Sequence, residues 1–279
     1  MNVFGILTNS DKDTNMEMTS RIRKYLEDRG KTCFLTSDFD DDKKTFAGHI
    51  EGLIVLGGDG TLIRAAREYV HYGVPLLGVN LGTLGYLTNV EKDEIWTCLD
   101  ALINDEFTLE YRMMLGGIVC RQNQAVMYEE AVNDVIVSRS GFAKLVELKL
   151  YVNDELLDIY AADGVIVSTP TGSTGYNLAA GGPVVYPETE MLVITPICPH
   201  SLTARSIVVS GKEKITIEIG KRRKDQREEA LVSYDGQPGI QLETGDRVEI
   251  GVAERAVKLI KINNKNFYQV LRSKIGTVR

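Results

Sequence analysis

One segment constrains the fold more than any other. Residues 52–56 form a continuous apolar run that leads directly into Gly57-Gly58-Asp59-Gly60-Thr61, after which Leu62, Ala66 and Tyr69 recur at helical spacing. A strand that is apolar at every position has to be covered on both faces, which is the condition of a parallel sheet held between helical layers. The rest of the first hundred residues repeats the alternation. Apolar strands at 3–8, 33–35 and 74–79 are separated by Met18, Ile22, Tyr25 and Leu26 at helical spacing, with Gly30 as a stop, and are followed by Ile95, Leu99 and Leu102. This βαβ pattern predicts an α/β N-terminal domain with a mostly parallel sheet.

The texture changes near residue 108. Short strand-like segments follow at 117–120, 135–138, 145–152, 165–168, 192–195, 215–219, 231–233 and 248–250, punctuated by Asn153-Asp154, Asp235-Gly236 and Thr244-Gly245-Asp246. These are turn signals, so an all-β, antiparallel, sandwich-like C-terminal domain is expected. Domains at 1–107 and 108–255 follow, with the tail 256–279, including a short helix at 267–272, docking back on the first. A chain of 279 residues favours two cores over one. The charged stretch 221–229 reads as a solvated loop.

Composition then excludes whole classes of function. With 39 acidic against 32 basic residues the net charge is −7, whereas a nucleic-acid binder draws its affinity from a basic surplus. No apolar run approaches the ~18 residues that span a bilayer. Residues 1–7 lack a basic leader and meet Asp11 and Asp13 soon after, so they read as a strand and not a signal peptide. The four cysteines are scattered and the three histidines cannot complete a zinc spacing. A cytoplasmic protein with no nucleic-acid or membrane partner is the expectation.

Three motifs fail on inspection. Gly30-Lys31-Thr32 lacks the earlier glycine of a P-loop, where Tyr25 stands. Gly58-x-Gly60 meets Ile63 where a dinucleotide fingerprint needs glycine or alanine. Asp38-x-Asp40-x-Asp42 meets Lys43 where a calcium loop needs glycine, and reads as a solvated acidic loop. The loop at 57–61 holds up. It follows a buried strand and opens a helix, the place where α/β sheets bind ligands. Its glycines allow close backbone approach, and the helix start offers N–H groups to phosphate. A carboxylate facing polyphosphate needs a task, so Asp59 either takes a proton from an attacking hydroxyl, binds Mg²⁺, or merely caps the helix. A second candidate site joins Asp163-Gly164 to the hydroxyl- and glycine-rich run 168–177, closed by Gly181-Gly182-Pro183. Asn133-Asp134 places two polar side chains inside an apolar strand region, and these need partners from a ligand or a neighbouring backbone.

Taken in order, these residues resemble the NAD kinase family. The resemblance rests on Gly57-Gly58-Asp59-Gly60-Thr61, Asn80-Leu81-Gly82-Thr83-Leu84-Gly85-Tyr86-Leu87, Asn133-Asp134 and Asp163-Gly164. It continues through Thr169-Pro170-Thr171-Gly172-Ser173-Thr174-Gly175-Tyr176, Gly181-Gly182-Pro183 and Pro199-His200-Ser201-Leu202-Thr203-x-Arg205. It runs from about residue 50 to 240. The chain carries Asp134, Thr83 and Ala179 where many relatives carry Glu, His and Ser.

The resemblance implies ATP or polyphosphate as phosphate donor, NAD as acceptor, a divalent cation such as Mg²⁺, and a homotetramer or homodimer. It implies Asp59 as proton acceptor, with Gly57, Gly58, Gly60 and Thr61 at the donor phosphates. It further implies NAD contacts from Gly60, Arg64, Tyr86, Asn133, Asp134, Lys144, Ala161, Asp163, Thr171, Thr174, Gly175, Tyr176, Asn177, Leu178, Ala179 and Gln237. The first motif is shared with diacylglycerol and sphingoid-base kinases, so a lipid kinase is an alternative, and a non-catalytic NAD sensor is another.

Overall fold

A computed structural model describes residues 1–39, 42–82, 85–88, 90–141, 145–221, 229–262 and 266–275. The chain forms two compact units, one of Met1–Arg112 with Arg255–Arg279 and one of Met113–Glu254. Among the described residues no helix is long and apolar enough to cross a membrane.

The first unit alternates strand and helix. Its elements are β1 (Val3–Thr8), α1 (Glu17–Glu27), β2 (Thr32–Leu35), α2 (Lys43–His49), β3 (Gly52–Gly57), α3 (Asp59–Tyr69), β4 (Leu76–Asn80) and α4 (Ile95–Ile103). The strands pair in parallel in the order β2-β1-β3-β4. β3 is buried at all six positions, as its unbroken apolar run requires. One face packs Phe4, Ile6, Ile54, Leu56, Leu77 and Val79 against Ile22 and Leu26 of α1 and Ile95, Leu99 and Leu102 of α4. On the other face Phe46 of α2 lies next to Gly5 and Leu62 of α3 next to Gly78. Gly30 has φ +73, the left-handed conformation that ends a helix at glycine without strain. The acidic loop before α2 has a structural use that its sequence does not advertise. Asp42 accepts from Thr45 N at 3.1 Å and Thr45 Oγ1 at 2.6 Å and so caps α2, a helix not expected from periodicity. Asp40 lies outside the described residues.

The chain enters the second unit within β5 (Thr108–Arg121). There follow β6 (Gln124–Ala131), β7 (Asp134–Arg139), β8 (Val146–Val152), β9 (Glu155–Ala162), β10 (Gly164–Ser168), α5 (Tyr176–Ala179), β11 (Met191–Ile197), β12 (Ile207–Ser210), β13 (Ile215–Ile219), β14 (Glu229–Tyr234) and β15 (Gln237–Glu243). The chain leaves within β16 (Arg247–Lys261) and closes with α6 (Phe267–Ile275) in the first unit, where Val270 is buried. An antiparallel sheet runs β12-β11-β10-β7-β14-β15. Opposite it, β9-β8-β13 continue antiparallel into the first half of β16. Val135, Val137, Val165, Val167, Leu192 and Ile194 from the first sheet share one core with Leu148, Leu150, Ile215, Ile217, Val248 and Ile250 from the second. Their period-two spacing is what puts them all on the inner faces of a sandwich.

The expected fold class is observed: a mostly parallel α/β sheet followed by antiparallel β structure. Four strands, β6, β9, β12 and β15, are additional to the expected ones, and β5 and β16 extend well beyond 117–120 and 248–250. Most of the charged stretch at 221–229 lies outside the described residues.

Candidate active site

In the first unit β2 lies on one side of β1 while β3 and β4 lie on the other. The connections after β1 and β3 therefore diverge, and the crevice this opens at the strand carboxyl ends is where such sheets take ligands. Thr8 is in register with Leu56, and Gly57 with Asn80, so three strand ends meet at the glycine loop. Gly58, in extended conformation, occupies the N-cap of α3, and Asp59 is the first helical residue.

Asp59 does not cap its own helix. Its carboxylate reaches across to the segment after β4, where Oδ2 accepts Tyr86 N at 2.7 Å and Oδ1 accepts Leu87 N at 3.1 Å, Thr88 N at 3.0 Å and Thr88 Oγ1 at 3.0 Å. Three consecutive backbone N–H groups converging on an anion form a nest. The fit excludes a side chain at Gly85, whose Cβ would stand on the Asp59 carboxylate and the Thr88 hydroxyl. A carboxylate offers about four acceptor positions. Oδ1 is filled by three donors, while Oδ2 holds one and keeps capacity for another. Tyr86 is half-buried, and burial first and the Asp59 charge second push its phenol above its ordinary value. Its ring stands 6.4 Å from that of Phe267 and 5.1 Å from the Lys274 ammonium. Gly60 and Arg64 are exposed on α3, and Thr61 is buried with its hydroxyl accepting from Asn9 Nδ2 at 3.2 Å. Thr83 and Leu84 lie outside the described residues.

In the second unit Asn133, Asp134 and the segment 169–177 gather at one end of the six-stranded sheet, while Asp163 lies at the other end of β10, beside Arg139. Asn133-Asp134 forms the junction between β6 and β7, and Asp134 pairs with Ser168 at the end of β10. Thr169 locks this corner, donating from N to Asn133 O at 2.8 Å and from Oγ1 to Val132 O at 2.7 Å. A Cβ on Gly172 would collide with the Asn133 carbonyl, so only glycine fits at that turn. From the β14–β15 turn Asp235 accepts Val132 N at 2.8 Å, Asn133 N at 2.7 Å and Asp134 N at 3.2 Å, a second three-amide nest around a carboxylate. Asn133 Oδ1 and Thr171 Oγ1 are buried with no protein partner. Asp134 is 4% exposed; burial, and to a lesser extent the Asp235 charge, raise its carboxyl to about 7. Unmet polar groups at this density call for a polar ligand.

The remaining candidates divide by exposure. Asp163 is half-buried and accepts from Arg139 Nε at 2.6 Å. Gly175, Tyr176, Ala179 and Gln237 are exposed, and Thr174, Leu178 and Ala161 are half-buried. Asn177 is wholly buried, its amide bonded to Ser173 O, Pro183 O and Thr195 Oγ1. It therefore shapes the 173–183 loop. Lys144 lies outside the described residues. Among the described residues no group of three or more His, Cys, Asp or Glu could hold a metal ion. Three residues of this site carried no functional signal in the sequence. Thr88 and Arg139 sit in no motif, and Asp235-Gly236 reads only as a hairpin turn.

Family models match both parts of the chain, the ATP-NAD kinase N-terminal domain over residues 41–107 and the ATP-NAD kinase C-terminal domain over 132–262. The chain is 41% identical to the NAD kinase of Lachnoclostridium phytofermentans over 99% of both sequences. The fold matches the crystal structure of yeast NADH kinase complexed with NADH, with a TM-score of 0.85 and 23% identity over 100% of this chain and 89% of that one. It also matches an NAD kinase from Archaeoglobus fulgidus in complex with ATP, with a TM-score of 0.77 and 24% identity over 100% of both chains. Two domain models in the right order and a full-length relative at this identity place the chain in the NAD kinase family.

Proposed function

We propose that the enzyme transfers the terminal phosphate of ATP to the 2′-hydroxyl of the adenosine ribose of NAD, with Asp59 as the proton acceptor. The observation that carries this is the Asp59 carboxylate itself. Four donors hold it in one orientation beside the glycine loop, and Oδ2 keeps an acceptor position for a ribose hydroxyl. In this reading Oδ2 accepts the proton as the hydroxyl oxygen attacks the γ-phosphorus in line and ADP departs. Little covalent work falls to the protein, so orientation and charge dominate.

Mg²⁺ enters as part of the donor substrate, where it offsets charge on the transferring phosphoryl group. Magnesium ordinarily keeps several waters and leans on phosphate oxygens, which suits a site where the described residues offer the Asp59 carboxylate and no cluster of three or more metal-binding side chains. Gly57, Gly58, Gly60 and Thr61 line the phosphate side. Asn133, Asp134, Thr171 and Asp163 serve the NAD side, where Asn133 Oδ1 and Thr171 Oγ1 wait for partners. The protein acts as a homo-oligomer in the cytoplasm, a reducing compartment that suits its free cysteines.

A matrix of donors against acceptors tests the reaction. ATP with Mg²⁺ and NAD should yield NADP, with NADH and polyphosphate as further arms. Phosphorylation of diacylglycerol or a sphingoid base in place of NAD would overturn the reading, and binding of NAD without turnover would make the protein a sensor.

A further inference from the structure

The crevice beside the glycine loop holds a cation that belongs to none of the motifs. After β1 the chain makes a turn tied to β3: Asn9 N donates to Leu56 O at 2.9 Å and Asn9 Nδ2 to Thr61 Oγ1 at 3.2 Å. Asn9 O in turn accepts Lys12 N and Asp13 N, both at 3.0 Å, and Asn9 Oδ1 accepts Asp11 N at 3.0 Å. Asp13, 5% exposed, then anchors the start of α1 through Met18 N at 2.8 Å, Thr19 N at 2.9 Å and Thr19 Oγ1 at 2.6 Å. Lys12 is thus flanked on both sides by fixed backbone.

Its side chain is exposed and extends over the loop. A Cβ built on Gly58 would lie 2.8 Å from Lys12 Nζ, and one on Gly82 would lie 3.5 Å from it. Among the described residues no carboxylate pairs with this ammonium. A second donor waits at the same place. Asn80 is 2% exposed; its Oδ1 accepts Gly82 N at 2.8 Å, which fixes the amide's orientation, and its Nδ2 has no partner. Asn80 Oδ1 lies 3.9 Å from the same Gly82 Cβ position that Lys12 Nζ approaches. The N–H groups of Asp59 and Gly60, the first two of the 11-residue helix α3, have no intrahelical acceptor and start at this loop, whereas Thr61 N already donates to Gly58 O at 3.0 Å.

An ammonium, an orphaned buried amide and a helix N-terminus meeting at one crevice describe a site for a multiply charged oxyanion. We propose that Lys12 is a donor-binding residue, its ammonium contacting the phosphate chain of the phosphoryl donor while Asn80 Nδ2 contributes a neutral hydrogen bond. This rests on the phosphotransfer reading above, and it assigns the cation of the β1 turn to the donor and not to NAD. The ligand chemistry is a linear polyphosphate, whether carried by a nucleoside or free.

The test uses the full-length enzyme and the variants Lys12→Met and Lys12→Arg. Titration calorimetry with inorganic tripolyphosphate and with ATP should show affinity lost by about tenfold or more in Lys12→Met, the scale of one charge-assisted contact. Lys12→Arg should recover most of the loss, because guanidinium also binds phosphate. KM for ATP should rise in parallel while KM for NAD stays unchanged. Melting temperature should not move, since the side chain is exposed and bonded to none of the described residues. Unchanged affinity for both probes, a loss confined to ATP, or a rise in the KM for NAD in place of that for ATP would each overturn the assignment. Should the wild type fail to make NADP, the reaction reading falls, but the tripolyphosphate titrations still decide the role of Lys12.

Discussion

At the scale of single residues, Asp59 is asked to do two things, and they can be separated. It clamps the segment 86–88 and it is the proposed base. In Asp59→Asn an amide NH₂ must replace one of the two oxygens. Even the better orientation sets it against Tyr86 N–H, donor facing donor. We expect kcat to fall by about 10²–10⁴-fold from loss of the base, and stability to fall by about 1–3 kcal/mol from the unmet N–H. Thr88→Val removes one donor to Oδ1 and leaves the carboxylate, so it should lower stability by a similar amount while kcat changes far less. Steady-state kinetics beside urea unfolding checks both. Near-wild-type kcat in Asp59→Asn would leave Asp59 a clamp and no more. Asp134 makes a prediction in pH. Burial, with a smaller push from Asp235, lifts its carboxyl from 3.8 to about 7. Between those values the folded chain binds a proton that the unfolded chain has lost, so stability falls as pH rises through this window and levels off above it. The full penalty is at most about 4 kcal/mol, from roughly three pKa units. Asp134→Asn cannot ionise, so its melting temperature should decline less than the wild type's from pH 5 to 8. Parallel slopes for the two proteins would show that Asp134 does not titrate there.

At the scale of elements, the second unit depends on a corner where β10 turns against the β6–β7 junction. Gly172→Ala drives a methyl into the Asn133 carbonyl. It should cost about 1–3 kcal/mol in unfolding free energy, the usual range for overpacking. It should also weaken NAD binding more than ATP binding, because Asn133 and Thr171 move and the glycine loop does not. Equal loss for both ligands in titrations would argue that the corner serves stability alone. The same corner shows what a sequence can and cannot disclose. β3, β7 and β10 were legible because they are buried at most or all positions and read as apolar runs. β9 was not, because its first five residues are exposed and Leu156, Leu157 and Ile159 break the alternation that marks a half-buried strand. β15 hides behind Pro238 and Gly239 early in its run, residues that ordinarily argue against a strand. The glycine loop and Asn133-Asp134 announced themselves through local composition. The carboxylate nests did not, since Asp59 meets Thr88 across 29 positions and Asp235 meets Asn133 across 102. Contacts of that separation are created by strand pairing and leave no local pattern. Lys12 escaped for the same reason, as a lone lysine in a polar turn gains meaning only once β1 is seen beside β3.

At the scale of the whole molecule, the remaining question is what covers β9. Among the described residues it is an edge strand, with β8 on one side and no pairing strand on the other. Its apolar side chains Leu156, Leu157 and Ile159 are 53%, 42% and 49% exposed, on an edge of the kind that monomeric proteins usually protect with charge, proline or a bulge. Asp158 is the single charge among residues 156–159, and the register shift opposite Leu150 and Tyr151 makes Leu157 a bulge residue, so the edge is protected only in part. A second copy of the chain is the partner that the proposed homo-oligomer supplies, and closed symmetry would let the same edge serve both copies. Light scattering of the wild type should therefore give a mass that is a multiple of 30.9 kDa at micromolar concentration. Leu157→Lys places a charge where association would have to strip it of water, while the isolated chain leaves it solvated. That variant should shift the mass toward 30.9 kDa in a concentration-dependent way and keep its circular dichroism spectrum. A wild type that remains at 30.9 kDa over a wide concentration range would remove the homo-oligomer from the proposed function. An oligomer indifferent to Leu157→Lys would keep the assembly and move its interface away from β9.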